Sequence, residues 1–163
     1  MEQWNLYTPD RERTGAAILR GQPIPQGLYH LSVSVWIVNS QGEFLLSQRH
    51  PDKTYPLCWE CTGGCALAGE TSLQAAVREV REELGLCLDP QEGQCIRRTR
   101  RERQQDFYDV WLFRRDVLLQ ELTLQPSEVI RAQWAGPAAL LQLSRAGKLH
   151  PLLDGLDELL RIV

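Results

Sequence analysis

Apolar residues recur at helical spacing most plainly between residues 71 and 84, where Leu73, Ala76, Val77, Val80 and Leu84 make a single stripe. Thr71 with Gln74 has the form of a capping box, and Gly85 stands where a helix ends in the left-handed conformation. The spacing therefore predicts a helix over 71–84. Elsewhere the period falls to two. Residues 4–7 and 16–19, around a turn at Thr8, Pro9 and Asp10, predict an N-terminal β-hairpin, and the proline-bearing residues 20–26 a connector. Residues 31–38 predict a buried strand, Asn39 to Gly42 a turn, and 43–49 the returning strand of a second hairpin. Residues 50–56 are a polar loop, and Trp59 opens a short strand that leads to Gly63 and Gly64, expected in a tight loop before the helix. Further strands are predicted over 95–103, 106–114, 121–124 and 129–134. Two helices follow, over 137–145 ending near Gly147 and over 152–162, the latter with Leu156, Leu159, Leu160 and Val163 on its apolar side. The pattern is that of an α/β protein without internal repeats.

The polar face of the 71–84 helix carries Glu79, Glu82 and Glu83 at neighbouring helical positions. Like charges at this spacing repel by a few tenths of a kcal/mol per pair in water, and by more in a dry site. A hard divalent cation converts that repulsion into binding, since oxygen ligands suit magnesium and manganese. A solvated acidic face balanced by Arg78 and Arg81 is the competing reading. The glycines around the helix start weigh against it: Gly63, Gly64 and Gly69 lead the backbone into a helix N-terminus, where amide donors can face phosphate. Glu70 is spaced to pair with Arg78 and so to staple loop to helix.

Composition narrows the field. A chain of 163 residues suffices for one domain with a full core, here residues 1–163. A net charge of -3 argues against a globally basic nucleic-acid binder. Five arginines between Arg97 and Arg103 are read as a solvated hairpin, and no nucleic-acid partner is expected. No apolar run reaches membrane-spanning length, and the first residues do not resemble a signal peptide, so a cytoplasmic location is expected. The odd number of cysteines, five, fits a reducing compartment. Cys58, Cys61 and Cys65 begin like a zinc ligand set but lack a second pair, and are read as packed residues.

The string Gly64, five residues, Glu70, seven residues, then Arg78-Glu79-Val80-Arg81-Glu82-Glu83-Leu84-Gly85-Leu86 matches the Nudix box at every specified position. A chance match in a chain of this length is on the order of one in ten million. The resemblance to Nudix hydrolases implies an α/β/α sandwich with a mixed central β-sheet, here preceded by the N-terminal β-hairpin. It also implies hydrolysis of a nucleoside diphosphate linked to another moiety, or of a related small-molecule diphosphate. Glu79, Glu82 and Glu83 would hold Mg2+ or Mn2+, which polarises a phosphoryl oxygen and lowers the pKa of the attacking water while a carboxylate takes the proton. The base is Glu79, Glu82 or an acid from a later loop, with Glu128 first among these and Asp106, Asp109 and Glu121 behind it. Arg78 would orient Glu79 and Glu70. Arg49 and Gly64 would meet substrate phosphate, and Gly63, Gly69, Glu70 and Gly85 would shape the motif. Dimers are frequent in related proteins, so a homodimer is in view.

A finer resemblance is to the branch related to isopentenyl-diphosphate isomerase, carried by Trp4-Asn5-Leu6-Tyr7 with Gly15, Tyr29-His30, Trp36, Gln48-Arg49 and Trp59. The isomerases' catalytic cysteine and metal-binding histidine correspond to Gly63 and Cys65 here, and only His30 and Asp109 match positions of their metal site. The resemblance therefore favours a hydrolase over an isomerase, and a non-catalytic nucleotide-binding module is disfavoured by the complete set of box carboxylates. The substrate is left open: Trp36, Trp59, Phe107, Tyr108 and Trp111 either stack on a base or fill the core.

Overall fold

Strand β3 (His30–Val38) is buried at all 9 of its positions, and the sheet is built outward from it. A strand hidden on both faces needs cover on both, which fixes a three-layer arrangement. The computed structural model describes every residue except Asp154 and Val163. In chain order the remaining elements are β1 (Gln3–Tyr7), β2 (Arg13–Leu19), β4 (Phe44–Arg49), β5 (Trp59–Glu60), β6 (Thr62–Cys65), α1 (Ser72–Leu84), β7 (Gln94–Arg101), β8 (Asp106–Arg114), β9 (Val129–Ala135), α2 (Pro137–Arg145) and α3 (Leu156–Ile162). β8 runs parallel to β3 along its whole length, from His30 opposite Asp106 to Val38 opposite Arg114. β7 extends the sheet beyond β8, while β6 flanks β3 and β5 and β9 flank β4, all antiparallel, so the sheet is mixed.

Residue parity assigns the two faces. Odd residues of β3 and β8, including Leu31, Val33, Val35, Phe107, Trp111 and Phe113, pack with Ala75, Ala76, Val80 and Leu84 of α1. Even residues such as Trp36, Val38, Val110 and Leu112 pack with Leu140 of α2 and Leu159 of α3. Each fully buried aliphatic side chain here contributes about 1.5–3 kcal/mol relative to exposure. The result is the expected α/β/α sandwich.

The expected caps of α1 are formed. The Gln74 amide donates to Thr71 Oγ1 at 3.3 Å, the Thr71 amide donates to Gln74 Oε1 at 2.8 Å, and Gly85 ends the helix at φ +71°. The N-terminal hairpin β1–β2 also forms and is docked on the domain: Tyr7 and Tyr29 exchange backbone hydrogen bonds at 2.8 and 3.0 Å, and the Ala68 amide donates to the Gln3 carbonyl at 2.7 Å.

Four expectations are corrected. β3 and β4 pair only at Val38 and Phe44 and then diverge, because β6 takes the place beside Ser32 to Val35. Gly63 and Gly64 consequently lie in strand β6, and the loop proper begins after Cys65. Gly63 is required by close approach, since a Cβ there would stand 2.5 Å from the Val33 carbonyl oxygen. Residues 121–124 are not a strand. The Thr123 and Gln125 amides donate to the carbonyls of Leu84 and Glu83, at 2.9 and 3.0 Å, so this segment satisfies the end of α1 instead of a sheet edge. The last helix begins at Leu156, because Trp59 exchanges backbone bonds with Lys148 and His150 at 2.8 Å and draws that segment alongside the sheet. Val163, expected on that helix, lies outside the described residues.

Candidate functional site

Arg78 organises the polar face of α1. Its Nε and Nη2 donate to the two Glu70 oxygens at 2.7 and 3.0 Å, Nη1 donates to Glu79 at 2.9 Å and Glu82 at 3.0 Å, and Nη2 donates to the Cys65 carbonyl at 3.0 Å. These bonds use all five guanidinium N–H groups. Burial alone would raise the Glu70 pKa, but the Arg78 bonds and the Leu67 amide, at 2.8 Å, outweigh it and leave Glu70 below the ordinary carboxylate range. The expected staple between loop and helix is therefore present.

Glu79 lies directly over Gly64, where a Cβ would stand 2.2 Å from its Oε1. This contact separates the roles of the two glycines. Gly64→Ala is expected to push the Glu79 carboxylate aside and lower activity at least about tenfold with the fold kept, because Glu79 lines the acidic cleft. Gly63→Ala meets backbone and is expected to lower the melting temperature. Turnover and thermal melts of the two variants check the distinction.

The three acids differ in environment. Burial raises the Glu79 pKa, with Arg78 opposing and Glu82 adding. Glu83 is 8% exposed and its pKa is pushed well above the ordinary value, first by burial and then by Glu79, Glu60 and Glu128. No side chain among the described residues forms an ion pair with Glu83. The Glu82 side chain is half-exposed. Among the described residues the acids do not close into a ready cage, since Arg78 holds Glu79 and Glu82. The donor set nonetheless fits a hard divalent cation: all oxygen, adjacent on one helix face, and with one member, Glu83, buried and without an ion pair among the described residues.

A cleft of about 140 Å³ opens beside these acids, lined also by Glu128, Lys53, Gln125, Glu2 and Arg20. Glu128 is thus brought to the site, where it pairs with Lys53. Arg49 does not line this cleft but the neighbouring one, where it donates to Glu60 at 2.7 Å and to the Thr54 carbonyl at 2.8 Å. The reserve acids are also engaged. Asp106 accepts from Arg101 and Ser32, Asp109 from Arg11, and Glu121 from the Leu118 amide. A second cleft, of about 300 Å³, shares Gly63, Gly64 and Cys65 with the first and reaches Tyr108, which lies under the Arg101 guanidinium at 3.9 Å. His150 there is lowered to about 4 by burial and by Arg49 and Arg101. Trp36, Phe107 and Trp111 fill the core. All five cysteines are free thiols, and burial pushes Cys65 up to about 12.

The NUDIX domain model matches residues 28–155. The chain belongs to the Nudix family. An uncharacterised Nudix hydrolase of Listeria monocytogenes is 38% identical over 157 residues, covering 93% of this chain and 89% of that one. An isopentenyl-diphosphate Δ-isomerase of Escherichia coli is 30% identical over 90 residues, 47% of this chain and 50% of that one, as the finer resemblance led us to expect. The crystal structure of a Deinococcus radiodurans protein, 26% identical, superposes with a TM-score of 0.78 over 98% of both chains. Nudix hydrolases generally cleave nucleoside diphosphate-linked compounds and need divalent metal ions.

Within this Nudix fold the two residues shared with the isomerase metal site are separated. Register pairs His30 with Asp106 and Val33 with Asp109, so His30 and Asp109 face opposite sides of the sheet and cannot hold one ion. His30 stacks on Trp4 at 4.7 Å, and Arg11 takes both Asp109 oxygens. Lys53, Gln125, Glu2 and Arg20 line the Nudix cleft although sequence reasoning did not single them out. Lys53 lay in a polar loop and Arg20 in a connector, and only the docking of those segments brings them to the acids.

Proposed function

We propose that this protein is a magnesium- or manganese-dependent pyrophosphohydrolase that cleaves a nucleoside diphosphate linked to another moiety by attack of water on phosphorus. The observation that carries the reading is Glu83, a buried carboxylate that forms no ion pair among the described residues and lines one cleft with Glu79 and Glu82. Glu79, Glu82 and Glu83 hold the cation. When bound, it supplies positive charge against the diphosphate and polarises a phosphoryl oxygen. Arg78 holds Glu79 and Glu82 in place and spends no donor on substrate. Glu128, across the cleft, accepts the proton of the attacking water, and Lys53 fixes its carboxylate at the rim. The bond from the attacked phosphorus to the bridging oxygen breaks, leaving two phosphate-bearing products. The second cleft, which shares Gly63, Gly64 and Cys65 with the first, receives the part of the substrate beyond the diphosphate.

A screen of diphosphate compounds with magnesium in 18O water tests this. One 18O per turnover on a phosphate-bearing product is expected. Interconversion of five-carbon diphosphates without phosphate products would show an isomerase instead, and metal-dependent nucleotide binding without turnover a binding module. For the base, Glu128→Gln is expected to lower kcat by about 10²–10⁴ while Mn2+ affinity stays within a few-fold. Unchanged kcat would remove Glu128 from that role.

A further inference from the structure

We propose that Arg20, supplied by the N-terminal hairpin ahead of the residues that match the family model, is the cleft's phosphate-binding cation and takes phosphoryl oxygens of the substrate's diphosphate. The inference rests on the hydrolase reading above and deepens it.

Three cations line the acidic cleft: Arg20, Lys53 and Arg78. Arg78 has given every N–H to Glu70, Glu79, Glu82 and Cys65. Lys53 is held by Glu128. Among the described residues Arg20 makes one side-chain hydrogen bond, from Nη1 to Glu2 at 2.8 Å, between side chains 56% and 47% exposed. A solvated pair of this kind is weak, so exchanging Glu2 for a phosphate costs little, and a guanidinium offers phosphate a two-pronged contact.

The backbone that carries Arg20 is fixed. Its amide donates to the Glu2 carbonyl at 3.0 Å, and the following turn is closed by Gln22, whose amide donates to the Leu19 carbonyl at 3.0 Å. Gly21 permits that turn with φ +91°. The hairpin is tied to the box loop on both strands, through the Gln3 carbonyl and through Arg13 Nη2, which donates to the Glu70 carbonyl at 2.6 Å. The loop that frames the carboxylates therefore also fixes the distance at which Arg20 stands from them. Arg20 lines the same cleft as Glu79, Glu82 and Glu83, which places it to take a diphosphate bound there and to set affinity more than chemistry.

Imidodiphosphate, which resists hydrolysis, serves as the probe, with its binding to the full-length protein measured by calorimetry at saturating magnesium. Arg20→Ala is expected to weaken binding about tenfold or more, the size of one charge-assisted contact. Arg20→Lys is expected to recover part of the loss, and Glu2→Gln to leave binding unchanged or tighter. Mn2+ binding without the anion, followed by electron paramagnetic resonance, is expected to be the same in Arg20→Ala as in the wild type. The proposal is overturned if Arg20→Ala binds imidodiphosphate as the wild type does. It is equally overturned if Glu2→Gln reproduces the loss, because Arg20 then acts only by holding the hairpin end. Failure of the wild type to bind Mn2+ would instead strike the hydrolase reading and take the proposal with it.

Discussion

Glu83→Gln is expected to make the metal-free protein more stable near neutral pH while removing metal-dependent turnover. The folded-state pKa of Glu83 is raised, first by burial and then by Glu79, Glu60 and Glu128. A carboxyl with a raised folded pKa favours the folded state fully below its unfolded value, and that contribution is lost as pH rises through the folded value. The metal-free wild type should therefore lose stability as pH rises above the ordinary carboxylate range, and Glu83→Gln should lose less. The gain near neutral pH is about 1–3 kcal/mol, the scale of an uncompensated buried group. A bound cation reverses the sign, since it binds the ionised acids of the folded chain. Turnover at saturating magnesium should fall about 10²–10³-fold, corresponding to a few kcal/mol of lost charge stabilisation. Thermal melts in chelator at acidic and at mildly alkaline pH, with a turnover assay, check both halves. A variant less stable than the wild type at the mildly alkaline pH would show that Glu83 is satisfied by a partner.

The largest loss of stability is expected at Arg11. The Asp109 side chain is 0% exposed and accepts hydrogen bonds from Arg11 Nη1 at 2.8 Å and Nη2 at 2.5 Å. Arg98 approaches the same carboxylate only at 3.9 Å and is mostly solvated. Arg11→Ala leaves a buried charge nearly alone, at a cost of about 3–5 kcal/mol. For a chain of this size that lowers the melting temperature by roughly 6–20 °C. Adding Asp109→Asn should return part of the loss by removing the charge. A double-mutant cycle measures the coupling, and a coupling near zero would mean that the hairpin is held chiefly by its backbone bonds. Because the hairpin also carries Arg20 and Glu2, Arg11→Ala should weaken substrate affinity even where the chain remains folded.

What the sequence makes legible is what is decided locally. The helix and both of its caps follow from Thr71, Gln74 and Gly85, whose partners lie within a few residues, and the bond between Glu70 and Arg78 follows from the short separation of the loop residue from the helix it precedes. β8 is recognisable because its apolar run is long and bounded. The divergence of β3 from β4 is not local. It depends on β6 entering the sheet, which glycines at 63 and 64 permit but do not announce. Residues 121–124 look like a strand by composition, yet the amides of Glu121 and Leu122 close a local turn and that of Thr123 goes to the Leu84 carbonyl at the end of α1. Arg49 reads as a phosphate ligand from sequence, and the fold sets Glu60 beside it at the edge of the second cleft, a pairing that no local spacing announces. Arg20 and Lys53 have no signature at all, because a cation in a polar connector acquires a role only from the surface onto which that connector folds.

Binding of Mn2+ to the full-length protein, followed by electron paramagnetic resonance, tests the central claim most directly. The wild type should bind the ion, and the protein with glutamine at Glu79, Glu82 and Glu83 together should not. Equal binding by the two proteins would contradict the account.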